Sequence, residues 1–167
     1  MLFRSLSDSS KAEIFEGLKI ISNPVITVSK NGDRRKKSII NFGCDVDFHG
    51  SFISKVTMHE VSLFMKVVDA KGDIISTINS RDSGILLSLK EQKQSSFIFT
   101  VERINLLPGK YFVTFALHNS FIETIEEIPN IAAFEITTEN APGRLNKASA
   151  PIWAGKTYFF GSWSLIS

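Results

Sequence analysis

Cysteine and long apolar runs are scarce in this sequence. Cys44 is the single cysteine among 167 residues, so no disulfide can form within the chain and the fold needs no oxidising compartment. No stretch reaches the roughly 18 to 20 apolar residues of a membrane-spanning helix. The first residues also lack the apolar core and cleavage site of a signal peptide. These absences favour a soluble protein and fit a cytoplasmic location.

Positive and negative residues are nearly balanced. The formal net charge is +2, and no basic stripe with interleaved aromatic residues occurs, which argues against nucleic acid as a partner. One local basic run, Arg34-Arg35-Lys36-Lys37, follows the turn-forming residues Asn31-Gly32-Asp33. We interpret this run as an exposed hairpin turn, and contact with phosphate or lipid is the alternative.

Sequence motifs for catalysis and metal binding are absent as well. Glycine-rich nucleotide loops, paired cysteines and the GxSxG nucleophile elbow do not occur. A metal site would require His49 and His59 to meet in space. The carboxylate pair of a glycosidase has candidates, but nothing places them together: Asp45, Asp47, Glu123, Glu126 and Glu127. We therefore predict no catalysis, no metal and no cofactor, and we expect Cys44 to be a small buried hydrophobic residue.

What the sequence has in quantity is alternation of apolar and polar residues. In INLLPGKYFVTFALHN, a Pro-Gly turn leads into a strand on which Tyr111, Val113, Phe115 and Leu117 share one apolar face. Similar alternation covers residues 38–48 and 132–137, and 74–79 is a further short strand, with two short extended pieces on either side of Pro24. In 57–68 one face carries Val61, Leu63, Met65 and Val67, while Phe64 and Lys66 face the other way; in 94–104 Phe97, Phe99 and Val101 face inward. Residues 80–84 and the acidic stretch 123–129 are interpreted as loops. Roughly seven to nine short strands predict an all-β, immunoglobulin-like antiparallel β-sandwich.

The chain divides into three predicted regions. Residues 1–16 are a linker remnant or a short helix capped by Asp8 or Ser9, residues 17–140 are the sandwich, and residues 141–167 are a C-terminal extension. Disordered segments are poor in aromatic residues, yet this extension is rich in them. It should therefore be buried, either on its own sandwich or on a second copy.

The outward faces of the strands offer side chains for carbohydrate binding. Such a site needs aromatic rings for the apolar faces of sugars and polar groups for their hydroxyls. The candidates are Asp47, His49, Asn79, Arg81, Thr114, His118, Trp153, Tyr158 and Trp163. Packing is the alternative for the two tryptophans, and capping of a strand end is the alternative for His118. Phe64 and Phe112 also face outward; side by side they would form an apolar face that a partner covers.

The order of these features resembles a known family. Ile39-Ile40-Asn41-Phe42-Gly43 precedes an alternating strand, and a turn with Asp69 and Gly72 follows. Next come Thr77-Ile78-Asn79, a Phe-rich strand, and LLPGKY at residues 106–111 leading into a further strand. Over residues 17–138 this arrangement resembles the C-terminal domain of the Wzt-type ATPase subunits of O-antigen polysaccharide ABC exporters.

The resemblance implies a non-catalytic domain that recognises O-antigen polysaccharide, in particular its modified non-reducing end, for export. It further implies a cytoplasmic location at the inner membrane, with an ATPase domain and a membrane subunit as partners, and a homodimer that exchanges its C-terminal strand. Since nucleotide motifs are missing, we expect this chain to be a separated C-terminal domain. The alternative is a structural or protein-docking sandwich without a glycan ligand, and a glycan-modifying enzyme is a third option.

Overall fold

The computed structural model describes residues 20–30, 39–121, 123–137 and 161–166. Within these ranges the chain forms ten strands: β1 (Ile21–Lys30), β2 (Ile39–Asn41), β3 (Val46–Ser54), β4 (Met58–Asp69), β5 (Ile74–Asn79), β6 (Leu87–Leu89), β7 (Gln94–Val101), β8 (Gly109–His118), β9 (Thr124–Thr137) and β10 (Gly161–Ile166). A 3-10 helix, Ser80–Ser83, lies between β5 and β6. No helix in the described part of the chain has the length and apolarity needed to cross a membrane.

The strands form the two sheets of a β-sandwich, which confirms the predicted fold class. One sheet has four strands in the order β1-β3-β7-β10, and the other has the order β2-β9-β8-β4-β5 with β6 paired to β4. The strand pairs are antiparallel except for β2 and β9, which run parallel. A strictly antiparallel sandwich is therefore not formed, because β2 joins the edge of β9 in the same direction.

Phenylalanine rings fill the space between the two sheets. Phe52 and Phe97 of the four-stranded sheet each lie 5.7 Å from the Phe115 ring of β8, measured between ring centroids. Phe48 meets the Phe134 ring edge-on at 5.8 Å. The alternation predicted for β4, β7 and β8 is confirmed, because the residues assigned to the apolar faces are buried. Burial of these faces is the main force that holds the sheets together.

Gly50 allows a close approach within this core. It lies on β3 opposite Phe97 of β7, and the Phe97 ring lies directly over it. A Cβ atom added to Gly50 would lie 2.0 Å from Cζ of that ring. The absent side chain at Gly50 therefore provides the space in which Phe97 reaches Phe115.

The LLPGKY segment forms a closed turn before β8. The Tyr111 hydroxyl donates a hydrogen bond to the Leu107 carbonyl oxygen at 2.6 Å. Burial, with a smaller contribution from the Asp69 carboxylate, raises the pKa of Tyr111 to about 12. The tyrosine therefore stays protonated and links the turn to the first residues of the strand.

Several local predictions were wrong. The acidic stretch is part of β9, with Pro129 at an irregularity in the β8–β9 pairing, where a missing N–H interrupts the hydrogen bonds least. Residues 80–83 form a 3-10 helix, and the three-residue strand β6 was not predicted. The two pieces around Pro24 form one strand, β1, with a register shift between Ser22 and Val25. Cys44 is half-buried between β2 and β3, because it precedes the alternating part of β3.

The C-terminal extension contributes β10, which pairs with β7 at the edge of the four-stranded sheet. The predicted linker or helix 1–16, the turn 31–33 and the basic run 34–37 lie outside the described residues. The boundaries of the three predicted regions stay predictions.

Candidate functional site

The outer face of the six-stranded sheet brings together four of the predicted residues. In the register of the sheet, Phe64 of β4 lies opposite Ala116 of β8 and Asn79 of β5, and Lys66 lies opposite Thr114. His118 lies opposite Ser62, diagonally adjacent to Phe64. We call the resulting group the outer-face cluster; its members are Phe64, Lys66, Asn79, Arg81, Thr114, His118 and Glu127.

A stacked pair of rings occupies the centre of the outer-face cluster. The Phe64 and His118 rings are nearly parallel, with an angle of 21° and centroids 4.5 Å apart. Thr124 Oγ1 lies 3.3 Å from His118 Nε2 and shares a hydrogen bond with it. The imidazole is therefore held by a ring on one side and by a hydroxyl at its edge.

His118 is held in its neutral form at neutral pH. Burial lowers its pKa below the ordinary value of 6.5, and the nearby Lys66 ammonium lowers it further. The Glu127 carboxylate opposes this shift, and the Arg81 guanidinium adds to it. A neutral imidazole offers one hydrogen-bond donor and one acceptor.

Lys66 and Glu127 form an ion pair on the open side of the cluster. Lys66 Nζ lies 2.7 Å from Glu127 Oε2, and the two side chains are 27% and 37% exposed. The ammonium also lies 5.9 Å from the centroid of the Phe64 ring. Exposed ion pairs contribute little to stability, so a ligand could exchange these contacts for its own at small cost.

The 3-10 helix after β5 positions Asn79 and Arg81 beside the rings. Asn79 Oδ1 accepts a hydrogen bond from the Arg81 backbone N–H at 3.0 Å. Arg81 Nη2 donates to the Asn119 carbonyl oxygen at 3.1 Å, which connects the helix to the end of β8. Ser80 Oγ accepts from the buried N–H of Leu63 at 3.0 Å and fixes the helix to β4.

Exposure divides the cluster into a floor and a rim. Thr114 and His118 are only 5% and 7% exposed, so they form the floor. Phe64, Lys66, Asn79 and Arg81 are half-buried and Glu127 is exposed, so they form the rim. A ligand on this face would therefore meet the rim first, and His118 would act mainly by supporting the Phe64 ring.

Asp47 and His49 do not join the cluster. Both lie on β3, on the outer face of the other sheet, where Asp47 Oδ1 accepts a hydrogen bond from Thr100 at 2.7 Å. Trp163 belongs to β10 of that same sheet, opposite Phe99 in register. Trp153 and Tyr158 lie outside the described residues. The core separates Asp47 and His49 from the outer-face cluster, so these two residues and the cluster do not form one site.

The continuous apolar face expected from Phe64 and Phe112 is not formed. The two residues share the outer face, but Phe64 lies opposite Ala116, whereas Phe112 lies opposite Val68, four residues further along β4. Lys110 Nζ lies 5.3 Å from the Phe112 ring centroid, and Lys66 lies near the ring of Phe64. A lysine ammonium thus lies over each ring, so the two rings do not form a continuous apolar face.

Sequence reasoning missed Lys66 and Glu127 as members of the site and assigned Phe64 only a packing role. Alternation along β4 correctly turned Phe64 and Lys66 outward. Their proximity to His118 and Arg81 depends on the register between β4, β5 and β8. Register is not encoded in any one of these strands, so the cluster could not be assembled from the sequence.

The acidic residues considered for catalysis each have their own partner. Asp45 accepts a hydrogen bond from the Arg103 N–H, Glu123 accepts one from Asn119, and Glu126 binds the amides of Ile20 and Ile21. In the part of the chain that the structure describes, no three His, Cys, Asp or Glu residues are grouped to hold a metal ion.

Comparison with known proteins identifies the family. The family model of the Wzt C-terminal domain matches residues 21–148, which is more than half of the 167-residue chain. This chain belongs to the Wzt C-terminal domain family. No curated protein matches it.

Solved structures support the family fold. The crystal structure of the C-terminal domain of Wzt matches with a TM-score of 0.58 and 12% identity, covering 82% of this chain and 89% of that chain. At this identity the likeness shows the fold alone. A Niemann-Pick type C2 protein from Japanese carpenter ant has 16% identity and covers 70% of this chain and 91% of its own, but its TM-score of 0.44 is too low to support an argument.

Proposed function

We propose that this Wzt C-terminal domain binds O-antigen polysaccharide through the outer-face cluster and performs no catalysis. The observation that carries the proposal is the cluster itself: a ring stack surrounded by an amide, a guanidinium, an ammonium and a carboxylate on one sheet face. Planar polar groups bond sugar hydroxyls in pairs, while the Phe64 ring suits the apolar face of a pyranose. The other sheet face, with Asp47 and His49, is a weaker candidate because the described part of it offers no comparable group of rings and charges.

Binding of this kind would serve polysaccharide export. In the proposal the domain acts in the cytoplasm at the inner membrane, beside an ATPase domain and a membrane subunit, and recognises the modified non-reducing end of the glycan. Affinity should be weak, because sugar hydroxyls give up hydrogen bonds to water that are nearly as favourable as the new ones.

Calorimetric titration of the full chain with O-polysaccharide tests the proposal. Arg81→Ala should weaken binding about tenfold or more, since hydrogen bonds from a charged group contribute roughly 1.5–3 kcal/mol. Arg81→Lys should recover little of this loss, because lysine keeps the charge and lacks the guanidinium fork.

His49→Ala provides the matched control on the opposite sheet face and should bind like the wild type. Loss of binding in the His49 variant but not in the Arg81 variants would contradict the proposed site. A folded wild type that binds no polysaccharide would favour the structural or protein-docking alternative, and consumption of the glycan would favour the enzyme.

We also propose that β10 is exchanged between two copies of the chain. β10 is an edge strand that follows the long connection 138–160, and in the described fold its sheet partner is β7 alone. Exchange would preserve its pairing with β7, because the same residues meet in either arrangement. Light scattering should show a dimer for the full chain and a monomer for a version that ends at Gly143. A monomer in both cases would contradict exchange.

A further inference from the structure

Phe121 is exposed on the turn between β8 and β9. Its side chain is 77% exposed, more than any other large hydrophobic residue in the described ranges. The other exposed large hydrophobic residues in the described part of the chain are aliphatic: Val25, Ile39, Val56, Ile74, Leu86 and Leu165. A single exposed apolar residue needs no explanation by itself, so its setting decides whether it has a role.

Asn119 forms hydrogen bonds with Phe121 and Glu123 in the turn that carries Phe121. Asn119 Oδ1 accepts from the backbone N–H groups of Phe121 and Glu123 at 2.9 and 3.0 Å, and Asn119 Nδ2 donates to Glu123 Oε2 at 2.8 Å. The Asn119 N–H also donates to the Glu123 carbonyl oxygen at 3.0 Å. These bonds hold the backbone N–H groups of Phe121 and Glu123 in place, which reduces the entropy lost when a ligand binds.

The same turn is connected to the outer-face cluster. Arg81, a rim residue, donates to the Asn119 carbonyl oxygen. His118, a floor residue, immediately precedes the turn, and three residues of extended chain span at most about 10 Å. The Cα atom of Phe121 therefore lies no more than about 10 Å from that of His118, a distance that adjoining units of a polymer can cover.

We propose that Phe121 forms a second sugar subsite, in which its ring stacks on the apolar face of a pyranose unit next to the one held by the outer-face cluster. This inference rests on the proposed function. The Glu123 carboxylate, already oriented by Asn119, lies two residues away and can accept hydrogen bonds from hydroxyls of the stacked unit. The ring provides apolar contact, and the carboxylate orients the sugar through hydrogen bonds from its hydroxyls. Together these groups suit a neutral hexopyranose.

The test is calorimetric titration of the full chain with O-polysaccharide fragments of graded length. Phe121→Ala should weaken binding of the long fragments about three- to tenfold, as expected for loss of one aromatic stacking contact, and should leave the shortest binding fragment unaffected. Phe121→Trp should restore the affinity for long fragments, and Phe121→Leu should not, because leucine is apolar and has no flat ring. Ile74→Ala, at another exposed apolar position, should behave like the wild type.

The outcomes separate this inference from the proposed function. If the wild type binds every fragment and Phe121→Ala binds each one equally well, the second subsite is wrong and the outer-face cluster stands. An equal loss for short and long fragments would also overturn it, because Phe121 would then contact the first sugar unit. If the folded wild type binds no fragment, both the proposed glycan binding by the outer-face cluster and the second subsite at Phe121 are wrong.

Discussion

At the scale of single residues, Gly50 shows how the core depends on an absent side chain. Gly50→Ala would place a methyl group 2.0 Å from the Phe97 ring, which the well-packed core can accommodate only by moving Phe97 away from Phe115. We expect a loss of about 1–3 kcal/mol in the free energy of unfolding, the usual cost of overpacking. Urea denaturation followed by circular dichroism measures this change.

Ser51→Ala is the control for that prediction. Ser51 is the next residue of β3 and faces outward, so its substitution should change the free energy of unfolding by less than about 0.5 kcal/mol. Equal midpoints for Gly50→Ala and the wild type would show that Phe97 does not lie over Gly50.

His118 leads to a prediction about pH. Its pKa in the folded chain is lowered below 6.5, chiefly by burial and then by Lys66. The unfolded chain therefore binds the proton more readily than the folded chain. The contribution of neutral His118 to the free energy of unfolding is full above pH 6.5 and declines as the pH falls from 6.5 through the folded pKa. Urea denaturation between pH 5 and pH 8 should show a smaller decline for His118→Gln than for the wild type.

His59→Gln is the control for replacing a histidine outside the outer-face cluster. His59 is exposed and shares a hydrogen bond with Ser88, away from Lys66 and Arg81. The effect of His118→Gln on the pH dependence should exceed that of this variant. A His118→Gln curve parallel to the wild-type curve would mean that the imidazole is not shielded as described.

At the scale of elements, Glu126 joins the two sheets at one end of the sandwich. Glu126 lies on β9, and its Oε2 accepts hydrogen bonds from the N–H groups of Ile20 and Ile21 at 2.6 and 2.9 Å, where β1 begins. Glu126→Gln keeps one acceptor oxygen but removes the charge. We expect a loss of about 1 kcal/mol in the free energy of unfolding, since hydrogen bonds to ionised groups are the stronger kind.

Hydrogen exchange tests this contact locally. The amides of Ile20 and Ile21 should exchange faster in Glu126→Gln, while amides in the middle of β8 should be unchanged. Glu135→Gln, at an exposed position of the same strand, should affect neither. Unchanged exchange rates at Ile20 and Ile21 in Glu126→Gln would show that these hydrogen bonds do not hold the start of β1 to β9.

Glu126 also shows where sequence reasoning about elements succeeds and fails. Strands with regular alternation, such as β4, β7 and β8, were predicted with the correct buried face. β9 was interpreted in part as an acidic loop, because its glutamates are used by distant partners: Glu126 by the start of β1, and Glu127 by Lys66. Such partners are separated by more than sixty positions in the chain, so local patterns carry no trace of them.

The candidate site was only half predictable for a related reason. Asn79, Arg81, Thr114 and His118 were chosen for their chemistry, and the structure brings them to one face. Asp47 and His49 have equally suitable side chains, but β3 belongs to the other sheet. Which strands share a sheet is decided by packing of the whole core, and residue type alone does not report it.

At the scale of the whole molecule, the sandwich has two outer faces that differ in chemistry. The six-stranded face combines stacked rings with an ion pair and a guanidinium, whereas the described part of the four-stranded face pairs Asp47 with Thr100 and leaves His49 half-buried. If β10 is exchanged, the four-stranded sheet is also the sheet through which two copies join. We therefore propose that one face binds glycan and that the other sheet serves assembly.

Backbone amide chemical-shift mapping by NMR, with O-polysaccharide added to the full chain, tests this assignment most directly. We expect the largest chemical-shift changes at Phe64, Lys66, Asn79 and Arg81, with smaller changes at His49 and Thr100. Changes concentrated on β3 and β7, with the signals of Phe64 and Arg81 unmoved, would show that the glycan binds the other face.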